Sequence, residues 1–396
     1  MERRFDLVVF GATGFTGRLV AEELARVAPP SMRWAIAGRS KEKLEAVQRG
    51  LSRPCELLIA DSASPGALAR SARVVCTTVG PYLRHGLPLV KACAEAGTHL
   101  ADLTGEVLFI KDSIEAADAA AMASGARIVH GCGFDSIPSD LGVRLLHEHL
   151  SRQGKGGQLA QVSLYVEKLK GGFSGGTIAS LEGMLVEAAR DRARRKVLLD
   201  PHALSPQPEL ETREERDLAS VKFDPLIGQW TAPFVMASVN TRVVRRTHAL
   251  LRRVYGKGFR YREVSSTGPG PKGLARAVAL TSILGGAVGA LSMPWSRSLL
   301  HRVLPAPGEG PSAEAREQGG FRYRFVAQLE GGGTAEARFH GQGDPGYAAT
   351  SRMLAQASLA LAFDALPKAA GVLTPAVALG TGFMQRLEAH GFRFEA

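Results

Sequence analysis

Cysteine is scarce in this chain. Cys55, Cys76, Cys93 and Cys132 are all that 396 residues contain, and no two form a C-x-x-C pair. Disulfide frameworks and zinc cages need paired or regularly spaced thiols, so neither is expected, and a reducing compartment is. Histidine does not fill the gap. His147 and His149 stand two apart, whereas ligands on one helical face stand three or four apart, so no metal is expected. Repeats and low-complexity tracts are missing too, beyond short glycine runs. Met1–Asp6 lead straight into an apolar run, which leaves no room for a secretory leader and makes the cytoplasm the expected location. With 45% hydrophobic and 22% charged residues the composition excludes a disordered chain, and the length allows two domains with a small appendage.

Glycine is plentiful, and its placement near the start carries information. Asp6-Leu-Val-Val-Phe10 runs directly into Gly11-Ala12-Thr13-Gly14-Phe15-Thr16-Gly17, followed by a helical pattern from about Thr16 to Val27. Glycines at three-residue spacing between a strand and a helix make a phosphate-binding turn. They permit the tight turn, the approach of a pyrophosphate, and close packing of helix on strand. The helix then points unpaired N–H groups at the anion.

Strand and helix alternate through the first 135 residues. Apolar strands are expected at Arg33–Ala37, Glu56–Ala60, Val74–Thr78, His99–Asp102 and Arg127–His130, with helices near Lys41–Gly50, Gly86–Ala96 and Val107–Ser124. That rhythm predicts an α/β fold: a Rossmann-type, doubly wound parallel sheet covered on both faces. Past Leu150 the rhythm breaks at a glycine-rich linker. A strand at Gln161–Lys168, a helix near Thr177–Val197, a polar loop at Asp200–Asp217 and a hairpin of Phe321–Glu330 with Thr334–Gly341 follow. Helical patterns cover Tyr347–Ala365 and Pro375–Ala389. The division expected is 1–150 for the nucleotide domain, 151–345 for an inserted α+β substrate domain, and 346–396 for a C-terminal helical return onto the first domain.

The second strand ends Ala37-Gly38-Arg39-Ser40-Lys41, without the carboxylate that would hold a free ribose 2′-hydroxyl. Arg39 can instead clamp a 2′-phosphate with two hydrogen bonds, and Ser40 can cap the next helix and reach the same phosphate. NADP(H) is therefore expected over NAD(H). Asp61 and Ser62, just past the third strand, are placed for the adenine side. Val79-Gly80-Pro81-Tyr82, past the fourth strand, is placed for the nicotinamide side.

Several stretches together resemble the saccharopine dehydrogenase-like oxidoreductases, in particular their trans-acting enoyl reductase branch. They are the glycine turn, Trp34–Arg39, Thr77–Tyr82, Asp102-Leu-Thr-Gly-Glu106, His130–Asp140, Ser174–Thr177, Pro307–Ser312, Gly343–Tyr347 and Gly371–Pro375. The resemblance spans nearly the whole chain. It implies a nucleotide domain with an inserted substrate domain and NADP(H)-dependent redox chemistry, directed at polyketide-derived acyl chains that a separate synthase carries. Relatives of related build act on an imine formed by an amino acid, so an imine or carbonyl reductase stays open, as does a nucleotide-sensing scaffold without turnover.

Tyr82 is a candidate proton or hydrogen-bond donor to a substrate carbonyl, or else a packed aromatic with a satisfied hydroxyl. Asp135 and Ser136 open a helix whose first turn holds Pro138. Ser136 or Ser139 can cap it, and its N-terminus can stabilise an enolate oxygen. Asp135 either joins that chemistry or only organises the turn. Thr177 starts a helix expected to face the nicotinamide across the interdomain cleft. Gly172-Phe-Ser174-Gly-Gly176 also satisfies G-x-S-x-G, but a serine hydrolase leaves the cofactor signature unexplained. Cys132 reads as a small buried residue, and His130 as the buried end of a strand.

Two further features bear on partners. The net charge is +11, and Arg242–Arg262 holds eight Lys/Arg and no acid. That is either a solvated basic face or a site for lipid or a phosphate-bearing substrate. No nucleic-acid-binding signature accompanies it. Ala277–Trp295 is a run of 19 uncharged residues, readable as a spanning, an interfacial or a buried core segment. Expected partners are thus a free or carrier-bound acyl substrate, a peripheral lipid contact through 242–262 and 277–295, and a second copy of the chain in a homodimer.

Overall fold

Six of the seven strands in the first sheet are those the alternating rhythm predicts. The computed structural model describes residues 3–154, 158–171, 175–210, 216–293 and 310–396. In chain order the first strands are β1 (Phe5–Phe10), β2 (Trp34–Gly38), β3 (Glu56–Ile59), β4 (Ala72–Thr77), β5 (His99–Asp102) and β6 (Arg127–Val129). Then come β7 (Leu159–Lys170), β8 (Lys222–Asp224), β9 (Gln229–Pro233), β10 (Arg260–Gly268), β11 (Gly320–Leu329), β12 (Thr334–Gln342), β13 (Gly371–Leu373) and β14 (Phe392–Glu395). The first sheet has the order β13-β6-β5-β4-β1-β2-β3, and every pairing in it is parallel. All six residues of β1 are buried, as a strand covered by helices on both faces requires. The order reverses between β1 and β4, and that is where a ligand crevice opens in such sheets.

The second sheet, β14-β12-β11-β7-β10-β9-β8, is mixed: β7 and β10 run parallel and the other pairs are antiparallel. The expected hairpin is β11 and β12. The expected helix near Thr177–Val197 is two helices, Gly175–Arg190 and Arg192–Leu199, because Asp191 breaks the run and caps the second through the Ala193 amide at 2.7 Å. The helix Ile137–Arg152 packs against β7, β11 and β12, so closely that a Cβ on Gly142 would meet the Phe325 ring. One hydrophobic core consequently runs from Leu7 and Val74 in the first sheet to Tyr323 and Phe339 in the second.

The C-terminal segment is not purely helical. The helix Ala348–Phe363 is buried nearly all round and packs on the helix Phe15–Val27 and on β1, β4 and β5. After it, β13 extends the first sheet and β14 closes the edge of the second. The tail thus gives one strand to each sheet and ties the two together.

Candidate functional site

The glycine turn forms the floor of the site. Gly11 adopts φ +93° and its amide donates to the Ala37 carbonyl at 2.9 Å, while the Gly14 amide donates back to the Gly11 carbonyl at 3.0 Å. A Cβ on Gly17 would stand 2.2 Å from the Gly11 carbonyl oxygen, so no larger residue fits there without moving the backbone. The helix Phe15–Val27 begins with no side-chain cap and no acidic residue in its first turn. Its first amides are left for an anion to satisfy.

At the end of β2, Arg39 is exposed and forms no side-chain hydrogen bond or ion pair among the described residues. Ser40 caps the helix Lys41–Arg49 by accepting from the Lys43 amide at 3.3 Å, as its position suggests. Thr13 lies beside Gly38, so turn and strand end share one corner. Asp61 is exposed past β3 and accepts from the Ala63 amide at 2.8 Å, with Ser62 next to it. These residues hold no metal-like cluster. Their donors and their free guanidinium suit a phosphorylated nucleotide.

Past β4, the Thr78 amide donates to Phe10 at 2.9 Å and places Val79, Gly80 and Pro81 above the turn. Glu106, which sequence reasoning passed over, fixes this loop. Its carboxylate accepts from the Tyr82 and Leu83 amides at 2.9 and 2.7 Å, and from the Ser180 hydroxyl of the facing domain at 2.5 Å. The Tyr82 hydroxyl donates to the Thr77 carbonyl at 3.1 Å and accepts from the Leu103 amide at 3.2 Å. Burial, and then the nearby Asp102 carboxylate, push its pKa well up. Its one proton is thus spent inside the fold, which corresponds to the packed-aromatic reading, although its ring still borders the cavity.

Between the two domains lies a cavity of about 380 Å³. Gly14–Gly17, Thr78 and Gly80–Tyr82 form one side. Ala179, Ser180 and Met184, Phe234–Met236, and Pro345–Tyr347 with Thr350 form the other. Its lining is largely apolar, and Asp135 is the one carboxyl among the described lining residues. Desolvation, with Asp102 adding a smaller repulsion, pushes the Asp135 carboxyl up to about 7. The Phe134 amide before it is held by the Thr350 hydroxyl at 2.9 Å.

Ser136 is placed differently from expectation. It stands at the N-cap of Ile137–Arg152 but is fully buried behind the cavity wall and caps nothing. Its hydroxyl donates instead to Asn240 Oδ1 at 3.1 Å. Ser139 likewise does not cap: its hydroxyl accepts from Asn240 Nδ2 at 3.1 Å. That amide group also reaches Glu263 at 3.0 Å, and Tyr261 donates to the same carboxyl at 2.8 Å. Burial drives Glu263 up to about 7. Asn240 carries no local sequence signal, because the two serines it holds lie about a hundred residues away.

Thr177 falls in the first turn of the helix Gly175–Arg190, where its side chain is not described. Ser174, with Gly172 and Phe173, lies outside the described residues. The histidines a hydrolase would need are engaged elsewhere: His248 stacks on Tyr255 at 5.3 Å, and His340 pairs with Glu395 at 3.2 Å. His130 is buried against Asp102 at 2.7 Å, and Cys132 is fully buried with its thiol pushed well up.

The basic stretch divides: Arg252, Lys257 and Arg260 are exposed, but its first three arginines do not form a solvated face. Arg242, Arg245 and Arg246 are buried on the helix Ala237–Leu250. They donate to the carbonyls of Leu198, Pro201, Tyr261, Leu204 and Val372, and Arg242 also pairs with Asp217. The apolar run is not core either. It belongs to the continuous helix Gly270–Ser292, whose most apolar window is only 11% buried, and it is long and apolar enough to cross a membrane. Pro294 and Trp295 lie outside the described residues.

Residues 7–129 match the family model of the saccharopine dehydrogenase NADP-binding domain. Over 98% of its length the chain is 46% identical to a Mycobacterium tuberculosis protein provisionally named a trans-acting enoyl reductase, covering 96% of that protein. It is 40% identical to the trans-acting enoyl reductase of Mycobacterium bovis, covering 98% of this chain and 97% of that one. Among solved structures, the apo saccharopine dehydrogenase of Saccharomyces cerevisiae superposes with a TM-score of 0.53 at 12% identity, covering 98% and 99% of the two chains. That likeness concerns the fold. The match over β1–β6 makes the first domain an NADP-binding domain.

Proposed function

The chain belongs to the trans-acting enoyl reductases, and from this premise we propose that it reduces a carbon–carbon double bond conjugated to a carbonyl in an acyl chain. The observation that carries the reading is the apolar interdomain cavity with Asp135, near neutrality, on its wall. An aliphatic chain suits such a lining, whereas an amino-acid-like imine would need charged groups to hold its carboxylate and amine.

When bound, the reduced nicotinamide supplies the hydride that adds to the β-carbon. The glycine turn and the uncapped helix hold the pyrophosphate, and Arg39 holds the 2′-phosphate. The Val79–Tyr82 loop, fixed by Glu106, orients the ring end of the cofactor. Asp135 in its protonated form delivers the proton to the α-carbon and is reprotonated from solvent, which completes the addition of two hydrogens. Tyr82 acts as a wall and a loop anchor. The trans-acting name of the relatives fits an acyl chain presented by a separate protein.

NADPH consumption with enoyl thioesters, with imines and with no substrate tests the reading. Turnover of the enoyl thioester alone is expected. Turnover of imines alone, or none despite tight NADPH binding, would replace it with the amino-acid or the scaffold reading.

A further inference from the structure

We propose that the face combining the helix Gly270–Ser292 with the basic segment Arg190–Lys196 docks the enzyme on an anionic lipid bilayer. The inference rests on the acyl-chain reading for its purpose, but on the exposed surface for its evidence.

The helix is about 34 Å long at 1.5 Å per residue. Leu274, Val278, Leu280 and Ile283 are 36%, 49%, 38% and 69% exposed. At 100° per residue these four positions spread around the cylinder and do not share one stripe. A protein groove covers one stripe and would leave the opposite residues in water, whereas a lipid phase covers every side. The segment 270–293 contains no acid, and its two charges, Lys272 and Arg276, sit together at the end that packs on β9 and β10.

The electropositive surface lies away from the buried arginines of 242–246 and is linked to this helix through Gly175–Arg190, which contacts both. Arg190, Arg192, Arg195 and Lys196 are exposed, and none makes an ion pair among the described residues; Arg194 is held by Asp112 at 2.5 Å. Leu199, 74% exposed, ends the same short helix. Cations beside exposed apolar side chains match headgroups and acyl chains respectively. Both features touch the helix Gly175–Arg190, which packs against Gly270–Ser292 and against Arg192–Leu199. That same helix gives Ala179, Ser180 and Met184 to the cavity wall. A lipid-embedded chain thereby has a short path from bilayer to active site.

Flotation of the full-length protein with mixed phosphatidylcholine–phosphatidylglycerol vesicles, against phosphatidylcholine alone, tests the proposal. Binding is expected to the anionic vesicles and to weaken as salt rises. The quadruple variant R190S/R192S/R195S/K196S should lower it by roughly tenfold or more, and V278E/I283E should remove it. Both variants keep NADPH binding and turnover of a soluble short-chain enoyl thioester, so failure of docking and failure of the reductase reading register in separate assays. The proposal falls if the intact protein ignores anionic vesicles at low salt, or if binding survives both variants. It also falls if V278E/I283E converts a dimer to a monomer while vesicle binding persists, which would make a second copy the occupant of that face.

Discussion

On the first-sheet side of the cavity the groups presented are largely backbone: the glycine turn, the uncapped amides of Phe15–Gly17 and the loop over Pro81. On the opposite side they are side chains, gathered from Asp135, residues 179–184 of the helix Gly175–Arg190, Phe234–Met236 and Tyr347. Backbone recognition is local and leaves no space for a new atom. A wall of side chains draws on distant segments, and each member contributes a part that its neighbours can partly replace.

The sharpest break in that contrast is Gly17→Ala. With its Cβ forced against the Gly11 carbonyl, NADPH uptake followed by fluorescence should fall below detection, whereas substitutions across the cavity leave it intact. Asp135→Asn comes next. It should reduce kcat/KM by roughly 100- to 10,000-fold, the usual range for a lost general acid, with NADPH affinity unchanged. In the wild type the acid must be protonated, so kcat/KM should hold below about pH 7 and decline above it. The Asp135→Asn variant should lose that decline, and an unchanged profile would move the proton donor elsewhere. Arg39→Ala should weaken NADPH binding by roughly 10- to 100-fold, the worth of a charge-assisted contact, and leave NADH affinity alone. Equal losses for both cofactors would remove the guanidinium from the 2′-phosphate. Met184→Ala should have the smallest effect, a rise in KM of roughly tenfold or less for a long enoyl chain, in line with a few lost apolar contacts. A kcat effect of the same size would mean that this side of the wall also orients the reacting carbons.

Misreadings cluster where meaning depends on a distant partner. Arg242, Arg245 and Arg246 stand at i, i+3 and i+4, one helical face, but nothing local says that this face is turned toward carbonyls of 198–204 and of β13. The short strands β8, β13 and β14 have three or four residues each and, unlike the equally short β3, β5 and β6, stand outside the strand–helix alternation that marks those. Ser136 has the residue type and position of a cap, yet its hydroxyl donates to Asn240 Oδ1 and accepts from no helix amide.

The amino-acid sequence by itself determined the glycine turn between β1 and its helix, the parallel order of β1–β6, the missing carboxylate after β2 and the family to which those stretches point. Each rests on contacts within a strand–turn–helix unit or on a period that neighbours impose. Tertiary structure alone decided which basic residues face water, that the tail supplies a strand to each sheet, and that Asp135 is the carboxyl left on an apolar wall. Burial and charge state are properties of surroundings, and those surroundings are assembled from residues far apart along the chain.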